Sequence, residues 1–193
     1  MLSNVKEKFY FFKTFLRSPS KIGSIMPSSK FLVNEILNKV DFSDAKILVE
    51  LGAGTGVVTK ELYNLVKIIE KKQNLKRQVV IFEQDKKLCN FLKLKFKGFN
   101  FFENAFELST NLKQENISSV DVILSGLPFA NFSSKEREKL LAEILRCLKP
   151  GGKFIMFQYS LQMKEHLEKV FKKVELSFVL FNIPPAVIYT CTK

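Results

Sequence analysis

Ile47-Leu48-Val49-Glu50-Leu51-Gly52-Ala53-Gly54-Thr55-Gly56 decides the fold. An apolar run of strand length passes through an acid into glycines at alternate positions 52, 54 and 56. Glycine accepts positive φ and, lacking Cβ, lets a ligand lie against the backbone. A strand that exits into such a loop therefore reads as the first strand of an open α/β sheet that binds a nucleoside at its carboxyl end. The spacing separates ligand classes. A dinucleotide fingerprint is G-x-G-x-x-G, its last glycine allowing close helix-strand packing; Val57 holds that place here, which disfavours NAD. A second acid is expected at the tip of the next strand, to accept hydrogen bonds from ribose hydroxyls. Glu83, after Val79-Val80-Ile81-Phe82, supplies it, and Gln84 follows at the same strand end.

Outward from this stretch, apolar periodicity alternates between strand and helix. Strands are expected near 46–51, 79–83, 99–103, 119–125, 152–159, 174–182 and 186–192, and helices near 31–40, 59–72, 85–97, 133–148 and 160–172. The fold class is an α/β doubly wound sheet. Lys149-Pro150-Gly151-Gly152 stops one helix and leads into the fifth strand. The last two strands are joined through Ile183-Pro184-Pro185, too short for a crossover helix, so as neighbours they pair antiparallel. Residues 1–30 are expected to form an amphipathic helix and a substrate-covering segment, and 31–193 one enzyme domain.

Composition agrees. With 193 residues, 46% hydrophobic and 20 of them Phe, the chain can bury a full core in one domain. Cys89, Cys147 and Cys191 are odd in number and far apart, which suggests neither a disulfide framework nor a metal cluster and fits a reducing cytosol. The lone His166 sits among Lys164, Glu165 and Glu168 on a surface helix, so neither a metal site nor a histidine-based nucleophile is expected.

Glu50 before its glycine loop resembles the first motif of class I methyltransferases, which implies S-adenosylmethionine (SAM) as cofactor, with Glu50 orienting its methionine end. The terminal hairpin resembles their seven-stranded Rossmann-like sheet. At the fourth strand's exit, Ser125-Gly126-Leu127-Pro128-Phe129 stands where amine-directed methyltransferases carry an Asn-Pro-Pro-Tyr-like turn. In rRNA adenine dimethyltransferases that turn reads Asn-Leu-Pro-Tyr and its carboxamide holds the target amino group; Gly126 takes that place here, which argues against adenine.

Four separated segments are similar to the bacterial phospholipid N-methyltransferases. They are Ser18-Pro19-Ser20-Lys21-Ile22-Gly23-Ser24-Ile25-Met26-Pro27-Ser28-Ser29, the ELGAGTG loop, SGLPFANF, and Asn182-Ile183-Pro184-Pro185-Ala186. The resemblance implies methylation of phosphatidylethanolamine and its methylated derivatives, in up to three steps, towards phosphatidylcholine. The cofactor residues expected are then Ser28, Glu50, Gly52, Ala53, Gly54, Thr55, Gly56, Glu83, Gln84, Asn104, Ala105, Phe106, Ser125 and Gly126. Asn104-Ala105-Phe106 lies where the family usually has Asp-Ala-Phe; the Asn carbonyl can still accept from the adenine amino group.

The first 17 residues support a lipid substrate independently. Leu2, Val5, Phe9, Phe12 and Leu16 recur on one helical stripe and Lys6, Lys13 and Arg17 on another, the pattern of an interfacial helix. Lys6, Phe9, Phe12, Lys13, Leu16 and Arg17 are the membrane-binding candidates. No run approaches a spanning length, and charges interrupt any signal-like stretch. A net charge of +12 suits an anionic lipid surface, and would attract RNA equally. The expectation is a cytoplasmic monomer, peripheral on the inner face of the membrane, with phosphatidylethanolamine and anionic lipids as partners and neither metal nor nucleic acid.

Methyl transfer to an amine needs alignment and a neutral nucleophile more than covalent catalysis. A lysine-like lipid amine, with a pKa near ~10.4, costs roughly 4 to 5 kcal/mol to deprotonate at neutral pH. Tyr159, at the fifth strand's exit, is the leading substrate-side residue: its hydroxyl can orient the amine or relay a proton, and its ring can attract an ammonium. Phe129 and Tyr10 are expected to share the aromatic role. The rival readings are an rRNA adenine N-methyltransferase, disfavoured by Gly126 and by the lack of an appended helical domain, and a non-catalytic SAM-binding, membrane-associated protein.

Overall fold

The computed structural model describes residues 26–182 and 184–193. Its elements are α1 (Met26–Leu37), β1 (Ile47–Leu51), α2 (Val57–Gln73), β2 (Gln78–Phe82), α3 (Lys86–Lys95), β3 (Asn100–Phe102), α4 (Leu108–Gln114), β4 (Val120–Ser125), α5 (Ser134–Cys147), β5 (Leu148–Gln158), α6 (Lys164–Glu168), β6 (Lys173–Val179) and β7 (Ala186–Thr192). Short 3₁₀ turns occupy Ala105–Glu107 and Phe129–Asn131. The seven strands run in the order β3-β2-β1-β4-β5-β7-β6. The first five in that order are parallel, and β7 lies antiparallel between β5 and β6. The strand order reverses between β1 and β4, and a ligand crevice is expected at the carboxyl ends there.

Both faces of the sheet are covered, so its central strands are largely apolar: β1 buries Leu48 on one side and Val49 and Leu51 on the other. Side chains of α1, α2 and α3, among them Leu32, Leu62 and Leu92, fill one core. Those of α4, α5 and α6, among them Leu112, Ile144 and Leu167, fill the other. The amino edge is tied electrostatically. Asp121 Oδ2 accepts from the N–H groups of Lys46 (2.9 Å) and Ile47 (2.7 Å), while Lys149 Nζ meets Oδ1 at 2.5 Å.

The described structure departs from the sequence reading at particular elements. α1 runs from Met26, across the expected boundary between 30 and 31. α4 was not expected at all: seven residues with Ser109, Thr110 and Asn111 in the middle give too short an apolar period to read, yet Leu108 and Leu112 anchor it in the core. β5 starts at Leu148, ahead of the expected 152, because a register shift opposite Val120 and Val122 takes Pro150 and the following glycines into the strand. The helix expected over 160–172 is only Lys164–Glu168, and β6 ends at Val179 instead of 182.

Gly56 has φ 80° and caps α2, and a Cβ there would run into Leu92 Cδ2 in the core. Gly56→Ala is therefore expected to lower stability by about 3 kcal/mol, through left-handed strain and overpacking, and Tm by roughly 10 °C. Calorimetric melting checks this, and an unchanged Tm would contradict the packing.

Candidate active site

The site is built where β1, β2, β4 and β5 end. Leaving β1, the chain takes positive φ at Gly52 (78°), Gly54 (56°) and Gly56 (80°). Gly52 N–H donates to Phe82 O at 2.8 Å, and Gly126 N–H donates to Leu51 O at 2.9 Å, so the loop is clamped between the exits of β2 and β4. The fit is close on both sides. A Cβ on Gly52 would lie 2.7 Å from Leu127 Cδ2, and one on Gly126 would lie 3.0 Å from Gly52 O. Ser125 Oγ accepts from Leu127 N–H at 3.2 Å, and the buried Gln158 amide donates to Leu127 O at 2.9 Å, bracing the β4 exit against the end of β5.

This contact divides the crevice into two cavities that share Gly52, Thr55 and Gly126. The larger, about 500 Å³, is bounded by Gly54, Glu83, Gln84, Asn104, Ala105, Phe106 and the Leu127-Pro128 turn. Glu83 stands at the β2 tip, where Oε2 accepts from Gly54 N–H at 2.6 Å and Oε1 from Asp85 N–H at 2.8 Å. Each oxygen keeps further lone pairs for a diol. Asn104 Oδ1 caps the 3₁₀ turn by accepting from Phe106 N–H at 3.0 Å. Phe106 and Phe132 supply an aromatic wall, their ring centroids 5.9 Å apart. An acidic diol acceptor, an apolar slot and a bare glycine backbone fit the nucleoside half of SAM.

The smaller cavity, about 100 Å³, lies on the α1 side, under Leu32, Val33 and Ile36, and is walled by Glu50, Ala53, Ser125, Phe157, Tyr159 and Asn182. Glu50 is only 3% exposed, and its Oε2 accepts from Thr59 Oγ1 at 2.8 Å. Burial pushes its carboxyl up to about 7, against the pull of the Thr59 hydrogen bond and with a smaller push from the charge of Glu83. A carboxyl poised in this way becomes a strong anion when a cation arrives, as the ammonium of a methionine end would. Burial likewise raises the Tyr159 phenol, opposed by a hydrogen bond with the Asn182 side chain. Asn182 is itself buried and donates through Nδ2 to Pro184 O at 2.7 Å, and Phe157 packs edge-on to Tyr159 at 6.0 Å.

The structure brings together Glu50, Gly52, Ala53, Gly54, Thr55, Glu83, Gln84, Asn104, Ala105, Phe106, Ser125, Gly126 and Tyr159 around the two cavities. Gly56 lies one turn behind them as the α2 cap. Phe129 is not brought there: its ring is fully buried against Phe132 and Phe154, in contact with neither cavity, so it packs the core instead of facing a substrate. Tyr10, Lys6, Phe9, Phe12, Lys13, Leu16 and Arg17 lie outside the described residues, and the side chain of Ser28 is outside them too. Sequence reading missed Asn182, Phe157, Phe132, Gln158 and the α1 side chains. For Asn182 the available signal is an Asn before prolines in Asn182-Ile183-Pro184-Pro185. Among the described residues no group of three His, Cys, Asp or Glu side chains could hold a metal ion, and burial pushes the Cys147 and Cys191 thiols up to about 11 and about 12.

Comparison with known proteins places this geometry. The family model described as ribosomal RNA adenine dimethylase matches residues 18–115, which hold α1, the glycine loop and both acids, and one described as anamorsin, N-terminal, matches 97–180. An ornithine lipid N-methyltransferase of Singulisphaera acidiphila is 27% identical over 192 residues, covering 97% of this chain and 96% of its own. A ribosomal RNA small subunit methyltransferase A of Dehalococcoides mccartyi is 30% identical over 148 residues, covering 74% of this chain but only 45% of that protein, so the chain spans under half of that relative's length. The N-methyltransferase NodS of Bradyrhizobium japonicum, solved with S-adenosylhomocysteine, superposes with a TM-score of 0.63 at 11% identity, covering 85% of this chain and 86% of that one, a likeness of fold. The chain is thus a SAM-dependent enzyme of the class I methyltransferase fold, and through its glycine-loop half it belongs to the ribosomal RNA adenine dimethylase family.

Proposed function

We propose that this methyltransferase acts on the amine of a membrane lipid headgroup, with phosphatidylethanolamine and its methylated derivatives as acceptors. The observation that carries this reading is the second cavity, a small pocket lined by the polar Tyr159, Asn182 and Glu50 and by the apolar Leu32, Val33 and Ile36 of α1. Such a pocket admits a primary amine on a slender stem. The near full-length likeness to an ornithine lipid N-methyltransferase, another enzyme of lipid amines by its name, supports the same class. The family match favours a second reading, methylation of an rRNA adenine. Gly126 counts against it, since a side chain added there meets Gly52 O at 3.0 Å and the adenine-holding carboxamide has neither residue nor room.

In this reading Glu83 holds the ribose hydroxyls, Asn104 and Phe106 hold the adenine, and Glu50 faces the methionine ammonium from the smaller cavity, next to the shared wall. Ser28 is a further cofactor residue, and residues 1–17 form an interfacial helix that keeps the protein peripheral at the membrane. SAM supplies an electrophilic methyl group on a positively charged sulfur. The Tyr159 hydroxyl and the Asn182 carboxamide orient the incoming amine so that its lone pair points towards Gly126. Phe157 and the α1 side chains exclude water, lowering the cost of the neutral amine by disfavouring its charged form. The proton released on the way in ends in solvent at the cavity mouth, directly or through the Tyr159 hydroxyl, which passes on its own proton as it takes up the amine's.

The test is methyl transfer from labelled SAM, offering vesicles of phosphatidylethanolamine with an anionic lipid, ornithine lipid vesicles, and ribosomal RNA in parallel. Label in mono-, di- or trimethylated phosphatidylethanolamine is the expected result; label only in RNA would replace this reading with the second. Glu50 gives a pH signature. Its free carboxyl titrates near about 7, and a bound cation favours the ionised form, so binding expels a proton below that pH. SAM affinity is expected to fall about tenfold or more between roughly pH 7.5 and pH 5.5, and Glu50→Gln to remove most of that slope. Calorimetric titration showing a flat wild-type profile would take Glu50 out of contact with the ammonium.

A further inference from the structure

The turn between β6 and β7 is built from residues that turns do not select. Asn182 N–H donates to Val179 O at 3.3 Å, closing a tight turn whose two corner residues are Leu180 and Phe181. Turn corners favour Gly, Pro, Asn, Asp and Ser, for backbone reasons that a leucine and a phenylalanine do not serve. Both are nevertheless displayed to solvent, Leu180 71% and Phe181 81% exposed, with Phe178 at 60% and Phe31 of α1 at 53%. The Phe31 and Phe181 rings lie 6.3 Å apart and join the turn to α1, whose Leu32, Val33 and Ile36 line the small cavity.

The apolar residues stand on both sides of the hairpin end. Val179, paired with Ala186, points into the α1-side core, whereas Phe178, paired with Val187, lies on the opposite face of the sheet. A flat protein partner covers one face; a medium that the tip enters covers both. Beside Phe31 stands the exposed Lys30, and the chain as a whole carries +12. Aromatic and aliphatic side chains at a tip, backed by positive charge, match the boundary between acyl chains and anionic headgroups.

We infer that Leu180 and Phe181, flanked by Phe31 and Phe178, form a membrane-insertion tip that seats the mouth of the smaller cavity at headgroup depth. The inference deepens the lipid-amine reading and rests on it for the purpose of the tip. The residue after the corner is Asn182, which lines that cavity beside Tyr159, so the inserted turn and the amine pocket are adjacent along the chain. A headgroup amine then reaches the pocket without the lipid leaving the bilayer.

The chain contains no tryptophan, so Phe181→Trp in the full protein is a unique fluorescent probe. With vesicles of phosphatidylethanolamine and phosphatidylglycerol in equal parts, the indole emission is expected to shift to the blue and to be quenched by brominated acyl chains. The double variant Leu180→Ser/Phe181→Ser is expected to lose vesicle binding at least tenfold while its SAM affinity stays at the wild-type level. An indole that vesicles neither shift nor quench overturns the inference. If it is already blue-shifted without lipid, residues 1–25 or a second copy cover the tip; dependence on protein concentration identifies the second copy, and either outcome overturns the inference. A water-soluble short-chain phosphatidylethanolamine separates this failure from failure of the lipid-amine reading. If that reading fails, neither protein methylates the soluble lipid even though the tip inserts. If the tip fails, the double variant methylates vesicle lipid as fast as the wild type does.

Discussion

Everything at the site depends on a contact between two pieces of backbone. Gly52 and Gly126 leave adjacent parallel strands and approach so closely that a Cβ on either would strike the other strand's exit. There the β1 and β4 exits touch, and the touch separates the crevice into a large cavity and a small one. Positive φ at Gly52, Gly54 and Gly56 turns the chain away from the strand within five residues and starts α2 behind it. A side chain on Gly52 would run into Leu127 and one on Gly56 into Leu92, and neither would leave bare backbone for a ligand to approach.

The two cavities have opposite chemistry. On the large side, Glu83 is held by two backbone N–H groups, which keep its oxygens at fixed positions at the β2 tip. On the small side, Glu50 has the Thr59 hydroxyl but is otherwise in an apolar, buried setting, which raises its carboxyl to about 7. One acid is thus an organised hydrogen-bond acceptor and the other a charge waiting for a counterion. A nucleoside with a neutral diol at one end and an ammonium at the other suits that division, and the shared wall at Gly52, Thr55 and Gly126 is where the two ends join.

How much of this was legible in the sequence follows from the range of the interactions. The glycine loop, Glu83 and the antiparallel closing hairpin are local patterns: a strand with its exit, or two strands with a short link. Backbone geometry dictates the glycines and the hairpin, and Glu83 is read from its place at a strand tip beside them. α4 was not readable, because its helix is held by burial of Leu108 and Leu112 against α5 and not by its own period. Asn182 was seen as part of a motif but not as a site residue, since its meeting with Tyr159 depends on how β7 inserts between β5 and β6, a choice no local pattern encodes. Phe129 shows the opposite failure. A proline-aromatic turn at a strand exit suggested a ring facing substrate, but the 3₁₀ turn over Phe129–Asn131 points it into the core beneath Phe132.

The central claim is that the large cavity binds the nucleoside of SAM through the acid at the β2 tip. Titration calorimetry of S-adenosylhomocysteine into the wild type and Glu83→Ala tests it most directly. Loss of two charge-assisted hydrogen bonds to the ribose is expected to weaken binding by about 2 to 4 kcal/mol. Equal affinity in the two proteins would contradict the placement of the cofactor.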